Sequence, residues 1–180
     1  MFHTARLVLR PARLDDIPAM HAVLSNEVAM RYWSTPPHQT LEETEAWVRT
    51  MIEGERTGRS ADDFVLEWNG VVIGKAGFWR VPEVGFILHP TAQGHGLATE
   101  ALSFLFDRAF YMRREPRVIA DVDPLNLRCL HLLDALGFRQ YDERRNSFQV
   151  GDRWCDSVFL ELHEDRWRHH RETAQIGRPR

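Results

Sequence analysis

From Phe86 to Thr99 the chain reads Phe-Ile-Leu-His-Pro-Thr-Ala-Gln-Gly-His-Gly-Leu-Ala-Thr. An extended apolar stretch passes through a short proline turn into small residues that open a helix. Glycines at 94 and 96 let backbone N–H groups converge without side-chain obstruction. A helix N-terminus adds roughly half a positive charge at the same spot. Together these make an anion site suited to a pyrophosphate, although two glycines before a helix also describe a plain turn. Rival phosphate motifs fit poorly. There is no GxxxxGK[ST] segment. The GxGxx run ends at Thr99, with no third glycine, and three residues plus a proline separate it from the strand.

The elements that must position this cradle follow from periodicity. Residues 5–10 alternate as a strand that Pro11 ends, and Asp15 and Asp16 offer an N-cap to a helix carrying Ile17, Met20, His21 and Leu24. Residues 30–39, with Pro36 and Pro37, read as irregular. Thr40 and Glu43 form a capping box for a helix that carries Leu41, Val48, Met51 and Ile52 inward. Strand runs at 64–68 and 71–74 flank Asn69-Gly70, a strong hairpin signal, and two more follow at roughly 75–80 and 84–88. After the cradle, Leu97, Ala101, Leu105 and Ala109 share one helical face. Val118–Val122 is a strand, Asn126–Leu136 a helix closed by Gly137, and the last strands meet near Gly151-Asp152. This order describes a mixed α/β sheet in one domain over residues 1–165, with a charged C-terminal tail at 166–180; the charged stretch from Glu164 reads as a short helix and a frayed end.

Composition sets broad bounds. The 180 residues are 43% hydrophobic and 27% charged, as in ordinary globular proteins. A net charge of -3 and a pI near 6.3 give no reason to expect nucleic acid. No apolar run reaches the roughly 20 residues of a membrane span, so no membrane partner is expected. Cys129 and Cys155 stand at no metal-ligand spacing. The expectation is a cytoplasmic protein without a metal or disulfide framework, monomeric or homodimeric.

The stretch from Glu83 to Phe110 resembles the acetyl-CoA-binding motif of the GNAT superfamily of N-acetyltransferases. The family pattern Arg/Gln-x-x-Gly-x-Gly/Ala is matched by Gln93, Gly96 and Ala98. Asn126, Cys129 and Leu136-Gly137-Phe138 follow its Asn-x-x-Ser/Ala…Gly-Phe signature. Glu83-Val84-Gly85-Phe86 and Ala98-Thr99-Glu100-Ala101-Leu102 look most like the ribosomal-protein N-terminal (RimJ/RimL-like) branch. The resemblance covers about residues 4–163. It implies a twisted, mostly antiparallel sheet splayed between its fourth and fifth strands and flanked by about four helices, with acetyl-CoA as co-substrate and no metal.

It also implies roles. Phe86, Ile87 and Leu88 would offer backbone groups to pantetheine, and Gln93, Gly94, His95, Gly96, Leu97, Ala98 and Thr99 would hold the pyrophosphate. No Lys or Arg lies between Gln93 and Thr99, so binding would rest on amides and the helix dipole, with His95 as the one titratable cation nearby. Asn126 would hold the pantetheine arm or cap its helix. Cys129 stands near the expected sulfur position, where a small buried apolar role competes with a weak-donor role. Leu133 falls where many relatives have a tyrosine acid. Glu83 is the first choice for the base and Asp121, on the fifth strand, the second. Trp33, Tyr32 and Trp79 could wall the acceptor pocket.

An α-amine titrates near ~7.7–8.0 and a lysine near ~10.4, so freeing lysine costs roughly 3–4 kcal/mol more at neutral pH. The expected reaction is therefore direct attack of a low-pKa primary amine on acetyl-CoA, with a protein N-terminus as first acceptor. A small-molecule amine, or a silent acyl-CoA-binding module, is the alternative.

Overall fold

The computed structural model describes residues 1–58 and 60–176. Eight strands form one sheet: β1 (Phe2–His3), β2 (Leu7–Arg10), β3 (Ala61–Trp68), β4 (Val71–Arg80), β5 (Glu83–Leu88), β6 (Arg117–Val122), β7 (Arg139–Val150) and β8 (Arg153–His163). Their order across the sheet is β1-β2-β3-β4-β5-β6-β8-β7. The neighbours are antiparallel except β5 and β6, which run parallel and share the single register pair Glu83–Ile119. Beyond that pair the strands diverge. This is the expected splay, and β5 and β6 are the strands expected as fourth and fifth.

The helices are α1 (Ile17–Leu24), α2 (Glu27–Met30), α3 (Leu41–Thr57), α4 (Leu97–Asp107), α5 (Leu127–Ala135) and α6 (Glu164–Ile176). Alternation along the strands divides the core in two. Val84 and Leu88 of β5, Val118, Ala120 and Val122 of β6, and Val158, Leu160 and Leu162 of β8 face one cluster, with Leu97, Ala101, Leu105 and Leu133 of α4 and α5. Ile87 faces the other, with Met20 of α1 and Val48 and Met51 of α3.

Local signals explain most boundaries. Asn69 and Gly70 both have positive φ, 53° and 78°, as a two-residue type I′ hairpin requires. Thr40 accepts the Glu43 N–H at 3.3 Å, and Gly58 ends α3 in the left-handed region, so that helix is capped at both ends.

Several expectations change. Residues 71–80 are one strand, because β4 pairs with β5 from Gly74 to Arg80, the register shifting once, between Phe78 and Arg80. Asp16 is the N-cap residue of α1 but makes no side-chain bond into that helix; its carboxylate accepts the Arg13 N–H at 2.7 Å and two bonds from buried Arg10, at 2.8 and 2.6 Å. Leu41 is exposed, because the packed face of α3 begins at Thr44. The short helix expected from Glu164 is α6, which runs on to Ile176, and its Trp167 is fully buried. That ring meets Phe106 edge-on at 5.4 Å, and its indole N–H donates to Asp107 at 2.9 Å. Residues 177–180 lie outside the described part.

Candidate active site

The cradle sits where β5 hands over to α4. Gly94 and Gly96 have φ of 79° and 73°, conformations that side chains resist. Gly96 is the N-cap of α4, and no side chain caps that helix. The N–H groups of its first turn, at Leu97, Ala98 and Thr99, therefore open toward a ligand. The Leu97 side chain is buried, and Ala98 packs against the same core. Of these two residues, only the backbone is available to an anion.

Tertiary structure adds charge that the local sequence lacks. The Arg6 guanidinium donates to the His95 carbonyl at 2.7 Å and to Glu100 at 2.7 Å, and a Cβ on Gly96 would stand 3.5 Å from it. On the other side, Arg128 of α5 donates to the Gln93 side-chain carbonyl at 2.8 Å. The Gln93 amide in turn donates to the Leu88 carbonyl at 3.0 Å. The expectation that His95 is the one titratable cation nearby is thus corrected: two arginines from distant segments border the loop. His95 itself is exposed, its ring 5.2 Å from that of Trp68. Neither Arg6 nor Arg128 lies within the loop motif, so spacing alone could not find them.

Along the β6 edge of β5, the backbone of residues 84–88 finds no register partner beyond Glu83. Such an edge exposes backbone donors and acceptors to whatever lies in the gap. Val84 and Leu88 turn into the core and Phe86 packs against it, so side chains fill the sheet while the backbone edge stays open.

At the far side of the gap, Asn126 caps α5, its side-chain oxygen accepting the Cys129 N–H at 3.2 Å. Burial pushes the Cys129 thiol up to about 12, so it stays a neutral thiol at physiological pH and is a poor acid or nucleophile. Leu133 is fully buried.

The two candidate bases share a face. On β5, Glu83 and Gly85 alternate with core-facing Val84 and Phe86. On β6, Asp121 alternates with core-facing Ala120 and Val122. Both carboxylates therefore project from the sheet face opposite α4, beside the splay. Desolvation raises the Asp121 pKa, opposed by a hydrogen bond from Ser157 and the charge of Arg144. A raised carboxyl pKa makes a better base near neutrality. Ser157 is buried and its hydroxyl lies 2.7 Å from that of Ser147. Neither serine stood out in the sequence.

Trp33 lies over this face: a Cβ on Gly85 would come 3.9 Å from its ring. Tyr32 is half-buried, with the Arg31 guanidinium 5.4 Å from its ring. Trp79 is exposed at the end of β4, under Arg80 at 6.0 Å. Of the three aromatics, Trp33 is the one placed against β5. A separate concavity, lined by Phe2, Phe104, Tyr111 and Met112, sits at the opposite end of α4 from the cradle.

A profile of the acetyltransferase (GNAT) domain matches residues 6–139. The chain belongs to the GNAT acetyltransferase family. It is an N-acetyltransferase that uses acetyl-CoA. Escherichia coli spermidine N(1)-acetyltransferase is 26% identical over 159 residues, covering 83% of this chain and 82% of that one. The L-amino acid N-acyltransferase MnaT of E. coli is 34% identical over 110 residues, covering 56% of this chain and 63% of that one. Spermidine N-acetyltransferase from Vibrio cholerae, solved with CoA and spermine, shares the fold at a TM-score of 0.77 with 20% identity, covering 91% of this chain and 99% of that one.

Proposed function

We propose that this GNAT enzyme acetylates a small molecule bearing a primary amine, by direct attack of the amine on the thioester. The observation that carries the reading is that Glu83 and Asp121 share one sheet face beside the splay, the face on which Trp33 lies against Gly85. In this reading pantetheine lies along the open edge of β5 and its pyrophosphate meets the first turn of α4. The amine enters from the Trp33 side. A carboxylate, directly or through a water, accepts the proton that the ammonium must lose.

A protein N-terminus, the acceptor expected first from the RimJ/RimL-like motifs, gives way to the alternative. The names of the two relatives above point to a polyamine and to amino acids, and neither is a protein N-terminus. With Cys129 buried as a thiol, no acyl-enzyme step is invoked. The test is CoA thiol release by the purified protein with polyamines, free amino acids and short peptides. Turnover of a small amine supports the reading. Turnover confined to peptides restores the N-terminal one, and no turnover with any amine contradicts both.

A further inference from the structure

The sheet face that bears the candidate bases also bears arginines. Beyond Asp121, the same face continues onto β8 and β7. Asp121 is registered with Phe159, and Ser157, two residues along β8, is registered with Arg144. Asp121 and Arg144 thus flank the buried Ser157 from opposite sides, two strands across and two residues along, which sets their Cα atoms roughly 12 Å apart. The Arg144 guanidinium donates to Asp142 at 3.0 Å and lies 5.1 Å from the Phe159 ring centre. Its charge acts on Asp121. At the tip, Arg153 donates to the Arg31 carbonyl at 3.3 Å, joining the β7–β8 hairpin to the segment that carries Trp33. Among the described residues, neither Arg153 nor Arg31 has a carboxylate within ion-pair distance.

This sheet face therefore has carboxylates beside the splay and guanidinium groups farther along, toward the β7–β8 hairpin. A polyamine would bring its second cation against those guanidiniums, a like-charge contact that disfavours the wrong partner. A zwitterion fits both ends. We infer that the acceptor is an amino-carboxylate, a small primary amine that also carries a carboxylate, and that Arg144 is the residue that binds this carboxylate. An Arg fork over an aromatic ring suits planar, bidentate carboxylate recognition. Asp142 orients that fork, and Arg31 and Arg153 supply field at the mouth. This inference rests on the small-amine reading above.

The experiment is steady-state thiol release with paired acceptors: free amino acids, the corresponding amino-acid amides, and spermidine. The free carboxylate is expected to give about tenfold higher kcat/KM than its amide, as a charge-assisted contact favours it. Arg144→Gln should abolish that ratio mainly through KM for the acceptor, with calorimetric affinity for acetyl-CoA unchanged. Arg144→Lys should restore part of it. Spermidine turning over well while amino acids do not, or a carboxylate preference that survives Arg144→Gln, would overturn the inference and leave the small-amine reading standing. No thiol release with any of these amines would remove both.

Discussion

The Arg128 guanidinium donates to the Gln93 side chain across the gap between α5 and the cradle, at 2.8 Å. Gln93 stands where the family often has arginine, so the charge missing from the loop is returned from another helix. Arg128→Gln is expected to weaken acetyl-CoA binding by about 1 kcal/mol, the lower end for a bond to a charged group because the site is exposed. The loss should shrink in high salt. Calorimetric titration at two ionic strengths checks it. Gln93→Arg should bring no matching gain, since it would oppose Arg128 and give up the bond to the Leu88 carbonyl.

Gly96 combines a φ of 73° with the uncapped start of α4. Gly96→Val should cost roughly 1–3 kcal/mol of stability through backbone strain and should abolish measurable acetyl-CoA affinity. Gly94→Ala is the comparison: a Cβ there meets nothing within 4 Å, so it should lose stability with a smaller effect on binding. Thermal unfolding and titration of both variants separate the two effects.

The base can be read from pH dependence. A base acts only when deprotonated, so the rate rises with pH through its pKa. If Asp121 acts, the acid limb of kcat/KM lies above the ordinary carboxylate range, because desolvation raises its pKa. Ser157→Ala removes a bond that lowers this pKa and should move the limb to still higher pH. If Glu83 acts, Ser157→Ala leaves the limb in place, and Glu83→Gln lowers kcat by roughly 10²–10⁴. The two profiles together assign the base.

Much of this arrangement was legible in the sequence because it is local. The Asn69-Gly70 hairpin, the Thr40 cap, the glycines of the cradle and the helix from Leu97 each depend on residues within one turn or strand. What escaped depends on contacts between distant segments. Arg6 reaches His95 from the first strand region, and Arg128 reaches Gln93 from α5. Ser157 acquires meaning only through its neighbour Asp121 on β6. Asp16 stands at the N-cap of α1 as its spacing suggested, but the buried ion pair of its carboxylate with Arg10 was not visible in the local pattern. Trp167 sits in a charged stretch whose average polarity conceals a single anchoring residue.

That anchor gives a stability expectation. Trp167→Ala should destabilise the fold by about 3–5 kcal/mol, the usual loss for a fully buried large aromatic. It should also leave Asp107 without its indole donor. Denaturant unfolding measures the change. A loss under about 1 kcal/mol would mean that α6 does not belong to the cooperative unit.

The measurement that tests the account most directly is a single-turnover experiment with acetyl-CoA labelled in the acetyl group, in which protein and small molecules are weighed by mass spectrometry. Direct attack requires that the protein take up no label before an acceptor is added, and that the label then appear on the amine as CoA thiol is released. Label held covalently by the protein and passed on to the amine, at Cys129 or elsewhere, would contradict direct transfer.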